Sequence, residues 1–236
     1  LETNMTTLVQ TIEHDTHIRL TMDDGKANAL SFAMFEGLNA GLDQAATAGK
    51  VVVIAGRPGR FSAGFDLSVM GQGGEEMVRL LREGADLACR LMAFETPVVL
   101  AVSGHALAMG ALLCLSTDYR IGILGDFKTG LNEVAIGMTL PWFGVELARA
   151  RLAKEHFNAA TGLARIYDPA GAVEAGYLDE VVDPEALESR AAEMAQGLSS
   201  LDMAAHRNTK ARVREEFFRR AEEALRRDFE AGEAAI

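Results

Sequence analysis

Two short runs of β-branched residues constrain this chain most. Val51-Val52-Val53-Ile54-Ala55 is apolar at every position and is bounded by Gly49 and by Gly56 and Pro58. Pro97 to Ser103 repeats the pattern. A strand with one wet face alternates apolar and polar residues; a strand without alternation has both faces covered. Helices must therefore cover these strands, and the spacing predicts them. Residues 31–48 place Phe32, Phe35, Leu38 and Leu42 on one face. A second helix is expected from the glycine-rich stretch Gly71–Gly74 to about Phe94, with Met77, Leu80, Leu81, Leu87 and Leu91 at helical spacing. Strands alternating with helices make this an α/β chain.

The other elements fit that class. Leu8 to Met22 reads as a hairpin around His14-Asp15-Thr16, followed by a loop at Asp23–Lys26. A strand is expected at Tyr119 to Leu124, and helices from about Pro141 and about Asp168. Val181-Val182 is a short apolar pair. The last 50 or so residues are charged and helical in pattern, with Val213, Phe217, Ala221, Leu225 and Phe229 on one stripe. We read residues 1–185 as a core domain and 186–236 as a helical C-terminal segment of the same domain. Phe217, Phe218 and Phe229 are its expected subunit-packing residues.

At 236 residues and 49% hydrophobic, the chain can bury one sizeable core. Its 34 acidic and 23 basic side chains leave a formal charge of −11, which counts against a nucleic-acid surface. Cys89 and Cys114 lie in apolar stretches without paired spacing, so they read as reduced core residues, not as a disulfide or metal set. No apolar run approaches the roughly 20 residues that span a bilayer, and no basic start precedes an apolar block. A cytoplasmic protein without a membrane partner is expected.

Three junctions are rich in small residues: Lys26-Ala27-Asn28-Ala29-Leu30, Arg60 to Leu67, and Gly104 to Gly110. Small residues let a ligand approach the backbone, and free N–H groups at a helix start favour negative charge. Neither a P-loop nor a GxGxxG string occurs. Each junction alone signals little more than close packing.

Together and in this order, the three junctions resemble the crotonase (enoyl-CoA hydratase/isomerase) superfamily. The resemblance runs from KANAL through FSAGFDL, PVVLAVSGHALAMGALLCLSTDYRIG and TGLNEVAIGMTLP to AVEAGYLDEVV. It implies a crotonase-like fold of repeated ββα units and an acyl-CoA thioester substrate, with coenzyme A part of that substrate and no separate cofactor or metal. It also implies a homotrimer or a dimer of trimers. The thioester oxygen would lie between the backbone N–H groups of Phe65 and Met109, where two fixed donors stabilise an enolate. The family often has Gly-Gly where this chain has Ala108-Met109.

The general acid/base is a carboxylate. Family hydratases use two glutamates, and the first of those positions is Leu112 here. The second is Glu133, in the string Asn132-Glu133-Val134-Ala135-Ile136-Gly137. A single glutamate is the pattern of Δ3,Δ2-enoyl-CoA isomerases, and one carboxylate suffices to move a proton from C2 to C4. Apolar neighbours such as Leu112 and Ile136 would raise its pKa toward neutrality. Asn132 orients Glu133 or forms the turn. His105 touches ligand or packs at its junction. For coenzyme A the resemblance implies Lys26, Ala27, Ala29, Leu30, Ala63 and Asp66, although Asp66 also has the place of a helix cap. Arg57, Arg60 and Lys210 are further cations that could meet its phosphates. The alternatives are a hydratase, with Glu75 or Glu76 supplying the second carboxylate, and a non-catalytic acyl-CoA-binding protein.

Overall fold

The computed structural model describes residues 8–230. The chain opens on the expected hairpin, with β1 (Val9–Glu13) antiparallel to β2 (His17–Met22). β3 (Ala29–Leu30) leads into α1 (Phe32–Ala48), whose first turn is capped by the Ser31 hydroxyl and whose end turns on Gly49 in the left-handed region. Then come β4 (Val51–Ala55), β5 (Gly59–Ser62), β6 (Gly64–Phe65), the one-turn α2 (Leu67–Met70) and α3 (Gly74–Ala93). β7 (Val98–Val102), β8 (Gly104–Leu107), α4 (Met109–Leu115), β9 (Tyr119–Ile123) and β10 (Thr129–Gly130) follow. The remainder is α5 (Trp142–Arg151), α6 (Lys154–Thr161), α7 (Pro169–Ala175), β11 (Glu180–Val182), α8 (Leu187–Ser199), α9 (Met203–Val213) and α10 (Glu215–Phe229).

The main sheet has the order β1-β2-β4-β7-β9-β11, and every pair after the hairpin is parallel. The two runs without alternation are its central strands, buried on both faces. Val52, Ile54, Val98 and Leu100 enter the larger core, whereas Val51, Val53, Val99 and Ala101 enter a smaller one. That smaller core is closed by Leu187, Ala191 and Ala195 of α8, spaced by four along the helix. Cys114 is buried and Cys89 half-buried, and neither is bonded to the other.

The three small-residue junctions are not loops. They form a second layer of short strands: a parallel sheet β10-β8-β5 and a parallel pair β3-β6. Strands of two to four residues built from Gly, Ala and Ser carry too few side chains to show a period of two. β8 can approach β5 because Gly104 has no side chain: a Cβ there would lie 2.1 Å from the Gly59 carbonyl carbon.

The C-terminal stripe packs within the chain. Phe217 and Ala221 are part of the chain's own core, with Phe218, Leu225 and Phe229 packed against it. α10 folds back onto α5 and α3. Val213 lies off this stripe and is exposed, because the helix breaks at Arg214. Lys210 is also placed differently from expectation. Its Nζ donates to Asp118 Oδ2 (2.7 Å), so it does not reach outward. Asp118 Oδ1 accepts from Arg214 Nη2 (2.7 Å), and Oδ2 also accepts from the Val98 N–H (2.8 Å). One carboxylate thus ties central strand β7 to α9 and the start of α10. Among the described residues no helix is long and apolar enough to cross a membrane.

Removing one member of a buried ion pair leaves the other charge uncompensated, typically at about 3–5 kcal/mol. We expect Asp118→Ala to lower unfolding stability by about that range. Urea denaturation at neutral pH checks it, and a loss within 1 kcal/mol (about the value of an exposed pair) would show the clamp to be dispensable.

Candidate active site

The second layer brings two backbone segments together. Asn28 sits in the left-handed region at φ 52° and is fully buried, a conformation that asparagine tolerates. Its Nδ2 donates to the carbonyls of Met22 (3.0 Å), Arg60 and Phe61 (both 3.2 Å). The Ser62 hydroxyl donates to Asn28 O (2.8 Å) and accepts from the Gly64 N–H (3.1 Å). This chain of bonds sets β6 against β3, with Ala29 beside Gly64 and Leu30 beside Phe65. On the far side, Gly64 lies against the start of α4. A Cβ on Gly64 would meet the Ala108 Cβ at 2.8 Å and the Met109 nitrogen at 3.4 Å. Met109 as a whole is buried and is not among the residues lining the adjoining cavity, whereas Phe65 and Ala108 are. Ala108, the residue before the helix, has no side-chain oxygen with which to cap it, and its carbonyl accepts from Ala111 N (2.9 Å) and Leu112 N (3.0 Å).

A cavity of about 200 Å³ opens beside this junction. Ala63, Phe65 and Ala108 line one side, and Leu112 from α4 and Leu81 from α3 add apolar wall. Asn132 and Glu133 line it as well. They are delivered by β10, which is held on one side by β8 and on the other by Tyr167, whose N–H and C=O exchange bonds of 2.9 Å with Thr129. Glu133 then starts a single 3-10 turn, Val134–Ile136, closed by Gly137 at φ 83°. The Glu133 carbonyl accepts from Ile136 N (3.1 Å) and Met138 N (2.9 Å). Its backbone is fixed while its carboxylate points into apolar surroundings.

That carboxylate is the electrostatic centre of the site. Glu133 is 7% exposed, and Oε2 is buried without a hydrogen-bond partner. Burial pushes the carboxyl up to about 7. Asn132 Oδ1 is likewise buried and unpartnered. Glu133 is the one carboxylate lining this cavity among the described residues. Glu75 and Glu76 are elsewhere, in the exposed first turn of α3, where Glu76 pairs with Arg79 at 2.8 Å. No cluster of three metal-binding side chains occurs among the described residues.

Other expected residues are placed outside the cavity. His105 Nδ1 accepts from the Lys128 N–H (3.0 Å), and its ring packs edge-on against Phe127. Leu30 is fully buried in the core rather than in the pocket wall. Asp66 caps α2, accepting from Ser68 N–H at 2.8 Å. In the loop before β3, Ala29 N–H donates to Asp24 Oδ2 (2.9 Å), and Ala27 O accepts from Ala63 N (3.0 Å). Partial burial works against the Asp24 charge, yet the N–H groups of Ala29, Asn28 and Lys26 leave its carboxyl below the ordinary value. Lys26 is exposed, and its carbonyl accepts from Arg57 Nη1 (2.7 Å). Of these residues only Ala63 lines the cavity.

Sequence reasoning missed Phe143 and Asp228. Pro141 and Phe143 line the cavity at the start of α5. Pro141 cannot cap that helix, and the Asp228 carboxylate of α10 does so instead, accepting from Trp142 N and Phe143 N at 3.0 Å each. Nothing in the local sequence of either segment signals this pairing.

Two measurements follow from this geometry. Ala108 has φ 50° and ψ −123°, a conformation that favours glycine. Ala108→Gly should raise stability by about 1 kcal/mol, strain relief exceeding the added unfolded-state entropy; an unchanged or lower melting temperature would refute stored strain. Glu133 is raised above its ordinary value of 4.5, so its favourable contribution is complete below that pH and is lost as pH rises through about 7. Relative to Glu133→Gln, the parent should lose about 2.5 kcal/mol between pH 5 and pH 8. Parallel pH profiles of unfolding free energy for the two proteins would contradict this.

The sequence profile described as enoyl-CoA hydratase/isomerase matches residues 13–234. A solved enoyl-CoA hydratase/isomerase family protein from Pseudomonas syringae is 42% identical, with a TM-score of 0.93 over 94% of this chain and 97% of that one. A solved enoyl-CoA hydratase from Mycobacterium marinum is 37% identical, with a TM-score of 0.90 over 95% and 98%. The human mitochondrial enoyl-CoA delta isomerase 1 is 32% identical over 145 residues, 60% of this chain and 47% of that protein. The chain thus spans about half the length of the curated isomerases it matches. With nearly its whole length matched by the profile and its fold shared along both solved chains, this protein belongs to the enoyl-CoA hydratase/isomerase family and has its crotonase fold.

Proposed function

We propose that the protein is an enoyl-CoA isomerase that moves a double bond by a one-carboxylate proton shuttle. The observation that carries this reading is the single, desolvated Glu133 carboxylate facing a cavity where Leu112 stands in place of a second acid. In the proposed reaction the thioester oxygen of a 3-enoyl-CoA accepts from Phe65 N–H and Met109 N–H. Ionised Glu133 removes a proton from C2. The C2 electron pair delocalises into the carbonyl, leaving a dienolate held by the two donors, each typically worth about 3–4 kcal/mol. Protonated Glu133 then returns the proton to C4, and the double bond ends between C2 and C3. A carboxyl near pH 7 serves both halves, being populated as base and as acid at neutral pH.

Coenzyme A would lie along the surface formed by Lys26 to Leu30 and Ala63. Lys26 and Arg60 are exposed there, and the half-buried Arg57 is beside them, able to meet phosphates. On the family resemblance the working unit is a homotrimer or a dimer of trimers. The second reading is hydration, favoured by the name of the Mycobacterium marinum relative. It needs a water activated by Glu133 without a carboxylate partner, so it is the weaker one.

Purified protein should convert 3-enoyl-CoA to the conjugated 2-enoyl-CoA. Glu133→Gln should lower that rate by about a thousandfold while acyl-CoA binding persists. kcat/KM should rise with pH through about 7, the direction for a base that must be ionised. Rapid water addition to a 2-enoyl-CoA with no isomerisation would establish the second reading, and binding without proton exchange at C2 would leave a non-catalytic protein.

A further inference from the structure

Away from the catalytic cavity, a hollow of about 460 Å³ lies between the turn before β9, the end of α5 and the inner face of α9. Arg151, His206, Lys210 and Arg214 line it, together with Asp118. The charges there do not balance. Asp118 serves both Lys210 and Arg214, each at 2.7 Å. Arg151 forms no ion pair among the described residues; its Nη2 donates to the Thr117 carbonyl (2.9 Å), and its Nε is buried without a partner. Lys210 Nζ donates to Asp118 and to no other acceptor among the described residues. His206 Nε2 is also buried and unpartnered.

The neighbouring acids are engaged elsewhere. Asp202 also lines the hollow, but it is exposed and caps α9 by accepting from Ala205 N–H (2.8 Å). Glu146 and Glu216, in the adjoining recess, face Arg149, Arg219 and Arg220. Asp179 is paired with Arg120 at 2.6 Å. Arg151, Lys210 and Arg214 thus face the carboxylates of Asp118 and the exposed Asp202, an excess of one positive charge, and the Lys210 and Arg214 side chains are more than nine-tenths buried. Buried charge calls for a counter-charge. Burial, joined by repulsion between these cations, holds Lys210 down at about 8 and Arg151 at about 10, the direction expected while that counter-charge is lacking.

We propose that this hollow is a binding site for a small oxyanion, a phosphate or carboxylate group, held by Arg151 Nε, Lys210 Nζ and His206 Nε2 in its N–H tautomer. Unlike the catalytic reading, this site requires no acyl-CoA chemistry. The bound anion would complete the clamp that fastens α9 and the start of α10 to Asp118.

The test uses the full chain at constant ionic strength in chloride, titrated separately with inorganic phosphate and with succinate. Melting temperature and calorimetric binding are read together. A saturable rise is expected with at least one of the two anions, following the linkage of ligand occupancy to stability, and the same rise is expected in Glu133→Gln. The titrant that produces it identifies the oxyanion class. Arg151→Gln should weaken that binding at least tenfold, as should Lys210→Gln. His206→Ala, on the more exposed rim, provides a variant whose folding does not depend on the clamp, and should weaken it severalfold. Circular dichroism confirms that each variant is folded. A non-saturating rise, or one equal in parent and variants, would mean ionic screening alone and overturn the site. No rise with either anion also overturns it. If Arg151→Gln instead lowers the oligomeric state in sedimentation, the counter-charge is a carboxylate of a second copy and the small-anion site is overturned.

Discussion

The approach of the β6 backbone to the start of α4 is the constraint on which the site depends. Two polypeptide segments from different parts of the chain must pass so closely that a methyl group on Gly64 would collide with Ala108. Such contact is possible where side chains are nearly absent, and it is stable where the backbone polar groups find other partners. Asn28 supplies those partners for β5, the Ser62 hydroxyl accepts from the Gly64 N–H of β6, and the Gly130 carbonyl accepts from the Ala108 N–H at 3.0 Å on the other side. The small-residue character of the three junctions is thus a packing requirement first. A ligand-accessible backbone is its by-product.

Three carboxylates illustrate how partners decide what an acid does. Asp118 meets two cations and a strand N–H, and it holds elements together. Asp228 meets two N–H groups at the start of a helix and caps it. Glu133 Oε2 meets nothing and is pushed toward neutrality by burial alone. The residue type is similar in each case. A partnered acid is stabilised in its charged form and becomes structural, whereas an unpartnered one can exchange a proton near neutral pH.

Much of this was legible in the residue order, and the gaps have physical causes. The absence of alternation at 51–55 and 98–102 reported strands covered on both faces, because burial on both sides leaves no place for polar residues. Asp66 before Leu67 signalled a cap, since that interaction is local. The short strands β3, β5, β6, β8 and β10 escaped notice because their order comes from neighbours distant in sequence. Lys210 looked like a free cation and is an ion-pair partner of a residue 92 positions away. The stripe on α10 was visible, but periodicity says that a face is buried and not against what.

The cap that Asp228 places on α5 also fixes an order of events. Its two partners lie 85 and 86 residues earlier in the chain. Loop closure over such a distance is entropically unfavourable, so contacts of this kind form after local ones. The sheet, α4 and the Glu133 turn can all be in place before Asp228 arrives. During synthesis, a chain emerging as far as α9 would hold Glu133 beside a wall not yet braced. Completion of the Glu133 cavity would then come late, coupled to the docking of the last described helix.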